Sequence, residues 1–287
     1  MFFLPHGWPR MHFSSLAHVP LSDCEARPPA RLSGSVGDLG DSDHLVAFMS
    51  SRLLTSRMSG TRCRVSAILR EPMAVQARFY RAMPWVSRRF HRVLTHSGAL
   101  AERLPNALLM PHGGCWLRTI PAGPSPKSMR VAMIASDRRS APGHRLRHRV
   151  AAWSKERCPD LALLGRGYRP LRHKEDGHLP YMFSVVIENS VQPGYFTEKI
   201  VDSMLCSSVP IYWGDPLIAS HFDGAGIIRC DDEQAIREAI LSASEGAYRS
   251  MSGAIESNRR RAMRYADFRA IVSEVVGSDR SFDPGSP

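Results

Sequence analysis

The chain has 287 residues and a basic composition, with 38 Lys and Arg against 27 Asp and Glu and a formal net charge of +11. This length favours two lobes of unequal size, and 43% hydrophobic residues are typical of a globular protein. The positive charge suits phosphate-bearing ligands or an anionic membrane surface. Nucleic acid is not expected as a partner, because the sequence has no basic stretch with interleaved aromatics and no helix-turn-helix or zinc-finger spacing.

The six cysteines lie far apart and form no CxxC pair, so neither a disulfide framework nor a structural zinc site is predicted. Such cysteine usage is typical of a reducing cytoplasm. Pro5, His6, Pro9 and Arg10 interrupt any early apolar run, which argues against a signal peptide or membrane anchor. The sequence therefore predicts a cytoplasmic protein in which any membrane contact is peripheral and electrostatic.

The first part of the chain shows an incomplete α/β pattern. Residues 1–60 lack a clear alternation of strands and helices, and residues 27–43 are rich in Pro, Gly, Ser and Asp, which predicts a loop. Short buried strands are predicted at 44–49, 64–69 and 93–96. Pro72 biases Glu71 away from helical geometry, which places the Glu71 carboxylate at the exit of the second of these strands.

A Pro-rich stretch at 121–126 predicts a linker between a first lobe at 1–120 and a second lobe at 127–287. Beyond it, strands and helices alternate with short connections. Strands are predicted at 129–135, 161–164, 183–187, 209–213 and 226–229, and helices at 143–155, 197–207 and 233–244. This alternation predicts a parallel α/β sheet whose ligands lie at the carboxyl ends of the strands.

Residues 181–216 carry the most informative pattern. A buried strand brings Glu188 and Asn189 to its carboxyl end, and a Pro-Gly turn then leads into a helix that Thr197 can cap. The N–H groups at that helix start, together with Lys199, can hold a pyrophosphate, and Glu198 can accept hydrogen bonds from ribose or sugar hydroxyls. Taken alone, Glu198 and Lys199 also fit an ordinary charged first turn of a helix.

The whole string resembles the signature of the α1,3/4-fucosyltransferases, glycosyltransferase family ten. Its parts are Y-x-F-x-x-x-x-E-N-S, then G-Y-x-T-E-K-I, then V-P-I-Y-W-G-D-P. Similarity continues upstream at RVAMIAS, residues 130–136, and at Gly143-His144-x-x-Arg147, and it covers about residues 60–232. The resemblance implies a GT-B-like α/β fold of two Rossmann-type lobes with parallel sheets, the first lobe being short or atypical.

The resemblance also assigns donor-site residues. The family's donor contacts fall on Arg147, Tyr195, Glu198 and Lys199. The same cleft is expected to be lined by Glu188, Asn189 and Gly194, with a plain turn role as the alternative for the last two. Arg166 and Arg169 are reserve candidates for the phosphate-binding arginine, and a surface ion pair is the alternative for each of the three arginines.

The activity implied by the resemblance is inverting transfer of L-fucose from GDP-β-L-fucose to a glycan hydroxyl, in an α1,3/1,4-type linkage. The expected acceptor belongs to a surface polysaccharide or lipopolysaccharide, and no cofactor or metal is expected. In the family the base is a carboxylate at a strand end of the first lobe, a place that Glu71 occupies here. A surface glutamate is the alternative interpretation of Glu71, and His96 and His112 are competing bases.

Two alternatives to this function stay open at the level of sequence. One keeps the fold but uses another nucleotide-sugar donor. The other is an inactive nucleotide-binding homologue, because residues 1–60 depart from the pattern of a full first lobe.

The arginines within 259–264 have three possible interpretations. They fit contact with acidic lipid, docking of the lobes or a solvated helix face.

Overall fold

The computed structural model describes residues 1–4, 15–27 and 33–285, and the chain divides into two compact units. The N-terminal unit consists of Met1–Met110 and Val272–Phe282, and the C-terminal unit consists of Pro111–Ile271 with the last few residues. Within the described ranges, every helix is too short or too polar to span a bilayer. The six cysteines are free thiols, as their spacing predicts.

These units differ from the predicted lobes, 1–120 and 127–287, at both ends of the second lobe. The change of unit falls at Met110 rather than in the Pro-rich stretch. The reason is that the segment after Met110 is bonded within the C-terminal unit, where the Trp116 N–H donates to Asp202 at 3.0 Å. Residues 272–282 return to the N-terminal unit, in which the Phe282 N–H donates to the carbonyl of Leu109 at 2.8 Å.

Six strands within the described part of the N-terminal unit form one sheet. They are β1 (Phe2–Leu4), β2 (Glu25–Ala26), β3 (His44–Phe48), β4 (Arg64–Leu69), β5 (Val93–Thr95) and β6 (Ala107–Leu109). Their order is β2-β1-β3-β4-β5-β6, and all neighbours are parallel except β1 and β2. The α-helices that lie before β6 in the described part of this unit are α1 (Ser51–Thr55), α2 (Met73–Val86) and α3 (Gly98–Arg103).

Residues 1–60 therefore do supply strands, namely β1, β2 and β3. The first two of these are only three and two residues long, which is too short for a periodic pattern to show in the sequence. Helix α2 buries Phe79, Tyr80 and Met83 at helical spacing against the core of the unit. The parallel order places the carboxyl ends of β4 and β5 side by side.

The described C-terminal unit contains a second sheet, of five strands that are all parallel. They are β7 (Met129–Ile134), β8 (Ala162–Leu164), β9 (Tyr181–Ile187), β10 (Val209–Trp213) and β11 (Ile228–Arg229), in the order β11-β10-β9-β7-β8. The helices that follow β6 are α4 (Pro142–Arg157), α5 (Glu198–Leu205), α6 (Glu233–Ser242), α7 (Glu245–Ser250), α8 (Ser252–Ala266) and α9 (Phe268–Ser278).

The predicted alternation of this second sheet is confirmed, with most bounds within two residues. Strand β9 lies in the middle of the sheet and is apolar apart from the buried Ser184, since both of its faces are covered. Its carboxyl end is the point where β9, β10 and β7 bring their following loops together. Glu188 and Asn189 follow β9 directly at this end of the sheet.

Candidate donor site at the carboxyl end of strand β9

Glu188, the first residue after β9, is fully buried. Its Oε1 accepts a hydrogen bond from the Thr197 N–H at 2.9 Å, and its Oε2 accepts one from the Thr197 hydroxyl at 2.8 Å. Thr197 is the N-cap of α5, as predicted, and its hydroxyl oxygen accepts from the Lys199 N–H at 3.4 Å. Glu188 therefore holds the start of α5 against the end of β9 rather than facing solvent.

Lys199 stands between two carboxylates at this helix start. Its Nζ lies 3.2 Å from Glu188 Oε2 and 3.4 Å from Glu198 Oε1, and it donates to the Thr197 hydroxyl at 2.9 Å. Burial acts to lower the pKa of Lys199, but the charges of Glu188 and Glu198 outweigh it and leave the pKa raised. The side chain as a whole is 24% exposed.

Arg147 reaches the same strand end from α4. Its guanidinium donates from Nε to the carbonyl of Ile187 at 2.9 Å and from Nη2 to the Asn189 side chain at 3.3 Å. Arg147 thus binds the residues on either side of Glu188, while Lys199 binds Glu188 itself. The two predicted phosphate-binding cations converge on one place.

The charges of this cluster explain the pKa values around it. Burial lowers the pKa of Arg147, and the neighbouring Glu188 and Glu198 act in the opposite direction. The pKa of His144 falls to about 4, first through burial and then through the positive charges of Arg147, Arg138 and Lys199.

Gly143 allows the start of α4 to lie directly on this strand end. Its N–H donates to the carbonyl of Asn189 at 2.9 Å, and a Cβ at this position would stand 1.7 Å from the Glu188 carbonyl oxygen. His144 closes the same helix start, because its Nδ1 accepts from the Ala141 N–H at 3.1 Å. The Gly-His pair was part of the sequence resemblance, but its positioning role was not predicted.

The turn before α5 is held by an aspartate. Gly194 has a φ of 77°, which favours glycine, and its N–H donates to Asp215 Oδ1 at 2.8 Å. The same oxygen accepts from the Leu217 N–H at 2.9 Å, so the loop after β10 fixes the turn that precedes α5. Asp215 belongs to the V-P-I-Y-W-G-D-P part of the resemblance, and its bracing role follows from the pairing of β9 with β10.

Tyr195 is buried, and its ring packs edge-on to that of His112 with 6.1 Å between the centroids. His112 Nδ1 donates to the carbonyl of Gly113 at 3.2 Å, and the backbone of Gly113 pairs with that of Thr197. His112, which was an alternative candidate for the base, therefore belongs to the C-terminal unit and packs beside the turn that precedes α5.

The reserve arginines lie on the exposed loop after β8. Arg169 donates from Nη2 to the Tyr181 hydroxyl at 3.2 Å, and no contact within the described ranges joins Arg166 or Arg169 to Arg147 or Lys199. Glycines at 165 and 167, with φ of 100° and 92°, bring this loop against the one that follows β7. Of the three arginines, Arg147 is the one that the fold places beside Lys199.

Glu71 and His96 belong to the N-terminal unit and follow β4 and β5. The Tyr80 hydroxyl donates to the Glu71 carbonyl at 3.1 Å and lies 3.3 Å from His96 Nε2. Burial lowers the pKa of His96 to about 4, which makes it a weak base at neutral pH. Glu71 is partly exposed at the strand exit where it was predicted.

A cluster of three or more His, Cys, Asp or Glu side chains able to hold a metal ion is absent from the described ranges. The donor cluster instead pairs two cations, Arg147 and Lys199, with two carboxylates. Such a set is chemically suited to an anionic ligand with hydroxyl groups, because cations bind phosphate oxygens and carboxylates accept from hydroxyls.

Comparison with known proteins starts from sequence. No family model matches the chain. It is 35% identical over 74 residues to the α-(1,3)-fucosyltransferase FucT of Helicobacter pylori. The resemblance to the fucosyltransferases is confirmed. The aligned stretch spans 26% of this chain and 15% of that fucosyltransferase, so the likeness concerns one segment.

Solved structures extend the comparison to most of the chain. An α1,3-fucosyltransferase crystallised with GDP matches with a TM-score of 0.50 at 15% identity, covering 80% of this chain and 77% of that one. HepE of Anabaena, crystallised with UDP and glucose, matches with a TM-score of 0.58 at 12% identity, covering 82% and 77%. At such low identity these likenesses establish the fold alone, which is the two-lobed α/β architecture of the GT-B glycosyltransferases.

Proposed function

We propose that the chain is an inverting glycosyltransferase that moves L-fucose from GDP-β-L-fucose to a hydroxyl of a glycan acceptor in an α1,3/1,4-type linkage. The observation that carries the proposal is the convergence of Arg147 and Lys199 on three consecutive residues, Ile187 to Asn189, at the carboxyl end of β9. The segment that builds this site is also the one that resembles the fucosyltransferase signature. The acceptor is proposed to be a surface polysaccharide or lipopolysaccharide.

In this proposal the diphosphate of GDP lies beside Arg147, Lys199 and the N–H groups that begin α5. Negative charge grows on the diphosphate as the sugar bond breaks, and fixed cations stabilise that charge without a resident metal. Glu198, which is almost completely buried next to Lys199, accepts hydrogen bonds from hydroxyls of the donor. Glu71 takes the proton from the acceptor hydroxyl as the new bond forms.

The experiment that tests transfer is a product assay by mass spectrometry with GDP-fucose and a glycan array. We expect GDP release together with a mass increase of one deoxyhexose on a subset of acceptors. Thermal-shift measurements with GDP-fucose, GDP-mannose and UDP-sugars compare the donors in parallel. Binding of GDP-fucose without transfer to any acceptor would support an inactive nucleotide-binding protein instead. Stronger stabilisation of the protein by another nucleotide sugar would show that the donor sugar is not fucose.

Substitution of Arg147 tests the donor site. Arg147→Lys keeps the charge but loses the planar fork that contacts Ile187 and Asn189, so we expect GDP affinity to fall about tenfold. Calorimetric titration with GDP measures this loss. The matched control is Arg149→Lys on the same helix, where the side chain is 57% exposed and pairs with Glu233. Equal affinities for the two variants would remove Arg147 from the donor site.

Substitution of Glu71 tests the proposed base. Glu71→Gln is expected to lower kcat by a factor of about 100 to 10,000, with GDP affinity unchanged, because general-base catalysis contributes on that order. Glu102→Gln, an exposed change on α3 of the same unit, is the control. Unchanged turnover in Glu71→Gln would reassign the base.

A further inference from the structure

The N-terminal unit has an open recess at the amino ends of β4 and β5. It has a volume of ≈ 300 Å³, and four of its lining residues are Arg64, Arg88, Arg89 and His91. Arg64 begins β4, whereas Glu71 follows the carboxyl end of that strand. A strand of this length spans about 20 Å, so this basic recess lies on the opposite edge of the sheet from the proposed base.

The arginines around the basic recess carry more positive charge than the nearby carboxylates neutralise. The nearby carboxylate of Asp279 is bound through both oxygens by Arg92. Arg89 is fixed, since it donates to the carbonyls of Leu54 and Ser56. Arg64 and Arg88 are exposed, and no ion pair within the described ranges engages either of them.

A neutral donor accompanies these cations. The Thr61 hydroxyl lines the recess and is buried without a hydrogen-bond partner among the described residues. Buried hydroxyls in native proteins nearly always have a partner, so the Thr61 hydroxyl is expected to bond to a water molecule or to a ligand oxygen. Burial and the charges of Arg92 and Arg64 lower the pKa of His91, which agrees with a positive field in the recess. Phosphate oxygens suit this combination of arginines and a hydroxyl.

Helix α2 continues the basic recess with an exposed aromatic face. Trp85 is 88% exposed, and it lies on α2 three residues before Arg88. Arg81 and Arg78 are exposed on α2 one and two turns before Trp85, so these two arginines share one face of the helix with Trp85, and Arg88 lies in the turn that follows α2. Exposed Trp among arginines is typical of a surface that sits at the headgroup level of a bilayer.

We propose that the basic recess and the α2 face formed by Arg78, Arg81 and Trp85 are a docking surface for an anionic lipid bilayer, with one lipid phosphate seated between Arg64 and Arg88. A soluble phosphate would use the recess but would leave Trp85 in water, whereas a bilayer buries both. The proposal is independent of the proposed function, because it concerns the opposite edge of the N-terminal sheet from Glu71. It gives a peripheral membrane contact a definite place.

Vesicle flotation of the full chain tests the proposal. We expect binding to phosphatidylcholine vesicles that contain about one third phosphatidylglycerol, and none to pure phosphatidylcholine. The double variant Arg64→Gln/Arg88→Gln is expected to bind about 30-fold more weakly, since each basic residue at an anionic surface contributes roughly fivefold. Trp85→Ser is expected to weaken binding as well, and Trp85→Phe to reduce the blue shift of tryptophan emission on vesicle addition.

The matched control is Arg260→Gln/Arg261→Gln, which removes the same charge from exposed positions of α8. It is expected to change vesicle affinity much less, because these two arginines belong to the C-terminal unit and are not part of the proposed docking surface. If this control weakens binding as much as the recess variant, the docking surface is wrong. A second experiment titrates the protein with inorganic phosphate. If phosphate binds in the recess but the protein does not bind vesicles, the site belongs to a soluble anion and the membrane proposal is wrong.

Discussion

At the scale of single residues, the candidate donor site depends on the buried carboxylate of Glu188. This carboxylate accepts hydrogen bonds from Thr197, the N-cap of α5, and lies beside the ammonium group of Lys199. Glu188→Gln keeps the shape of the side chain but removes its charge, so Lys199 loses a partner and the amide faces the Thr197 donors. We expect the free energy of unfolding to fall by about 3 kcal/mol, which is typical for removing one partner of a buried ion pair. Urea unfolding followed by circular dichroism measures it.

The control for this change is Glu245→Gln. Glu245 pairs with Arg249 on the exposed face of α7, where both side chains are more than half exposed. Such a pair contributes only about 0.3–0.5 kcal/mol, so the control should unfold nearly as the parent does. A loss in Glu188→Gln no larger than in the control would show that the buried network adds little to stability.

The sequence predicted which residues meet at this site but not how each is used. Glu198 and Lys199 could be named as candidates from their place at a helix start, whereas Tyr195 was named only through the resemblance to the family motif. The complete burial of Glu188 could not, since it depends on the neighbouring strand and on α4 packing over the strand end. The cap formed by His144 also escaped prediction, because histidine is an uncommon partner at a helix start.

At the scale of elements, the position of α4 depends on the missing side chain of Gly143. Gly143→Ala would place a Cβ 1.7 Å from the carbonyl oxygen of Glu188, a backbone atom that cannot turn aside. The start of α4 must then move away from β9, and Arg147 moves with it. We expect a loss of about 3 kcal/mol in the free energy of unfolding and weaker GDP binding, measured by urea unfolding and calorimetric titration.

Gly253→Ala is the control for the backbone effect of the substitution. Gly253 lies in α8 with nothing within 4 Å of an added Cβ. Alanine at this position is expected to raise stability by about 0.5–1 kcal/mol, through helix propensity and reduced freedom of the unfolded chain. If the two alanine variants behaved alike, close approach of α4 to β9 would not explain the glycine.

Elements with a continuous apolar run were predictable, whereas a helix with an interrupted pattern was not. Strands β4 and β10 have the bounds that their sequences predict, because both are buried runs between breaks. Helix α2 was missed. Its pattern is interrupted by the non-helical Gln76 and by Pro84, and its exposed face carries Trp85 where polar residues are usual.

At the scale of the whole molecule, the division into units follows from contacts that no local pattern shows. Residues 272–282 follow the C-terminal unit directly along the chain, yet Asp279 is bonded to Arg92 in the N-terminal unit. Neither residue stands out in the sequence, and their separation along the chain gives no periodic signal. The Pro-rich stretch at 121–126 is irregular, as predicted, but it is part of the C-terminal unit.

Buried neutral histidines in both units make the stability of the whole molecule depend on pH. Burial lowers the pKa of His96 to about 4 in the N-terminal unit and that of His178 to about 3 in the C-terminal unit. In the unfolded chain a histidine has a pKa of about 6.5, so below that pH the unfolded state binds more protons than the folded state. The stability supplied by these groups is complete above about pH 6.5 and is lost as the pH falls towards their folded pKa values.

We therefore expect the free energy of unfolding to fall between about pH 6 and pH 4.5, by roughly 1.4 kcal/mol per pH unit for each buried histidine. Urea unfolding at a series of pH values gives this slope. His96→Gln removes one titrating group. The slope of its unfolding free energy against pH should therefore be smaller by roughly 1.4 kcal/mol per pH unit, even if the variant is less stable at every pH. A slope equal to that of the parent chain would show that His96 is not held neutral by burial.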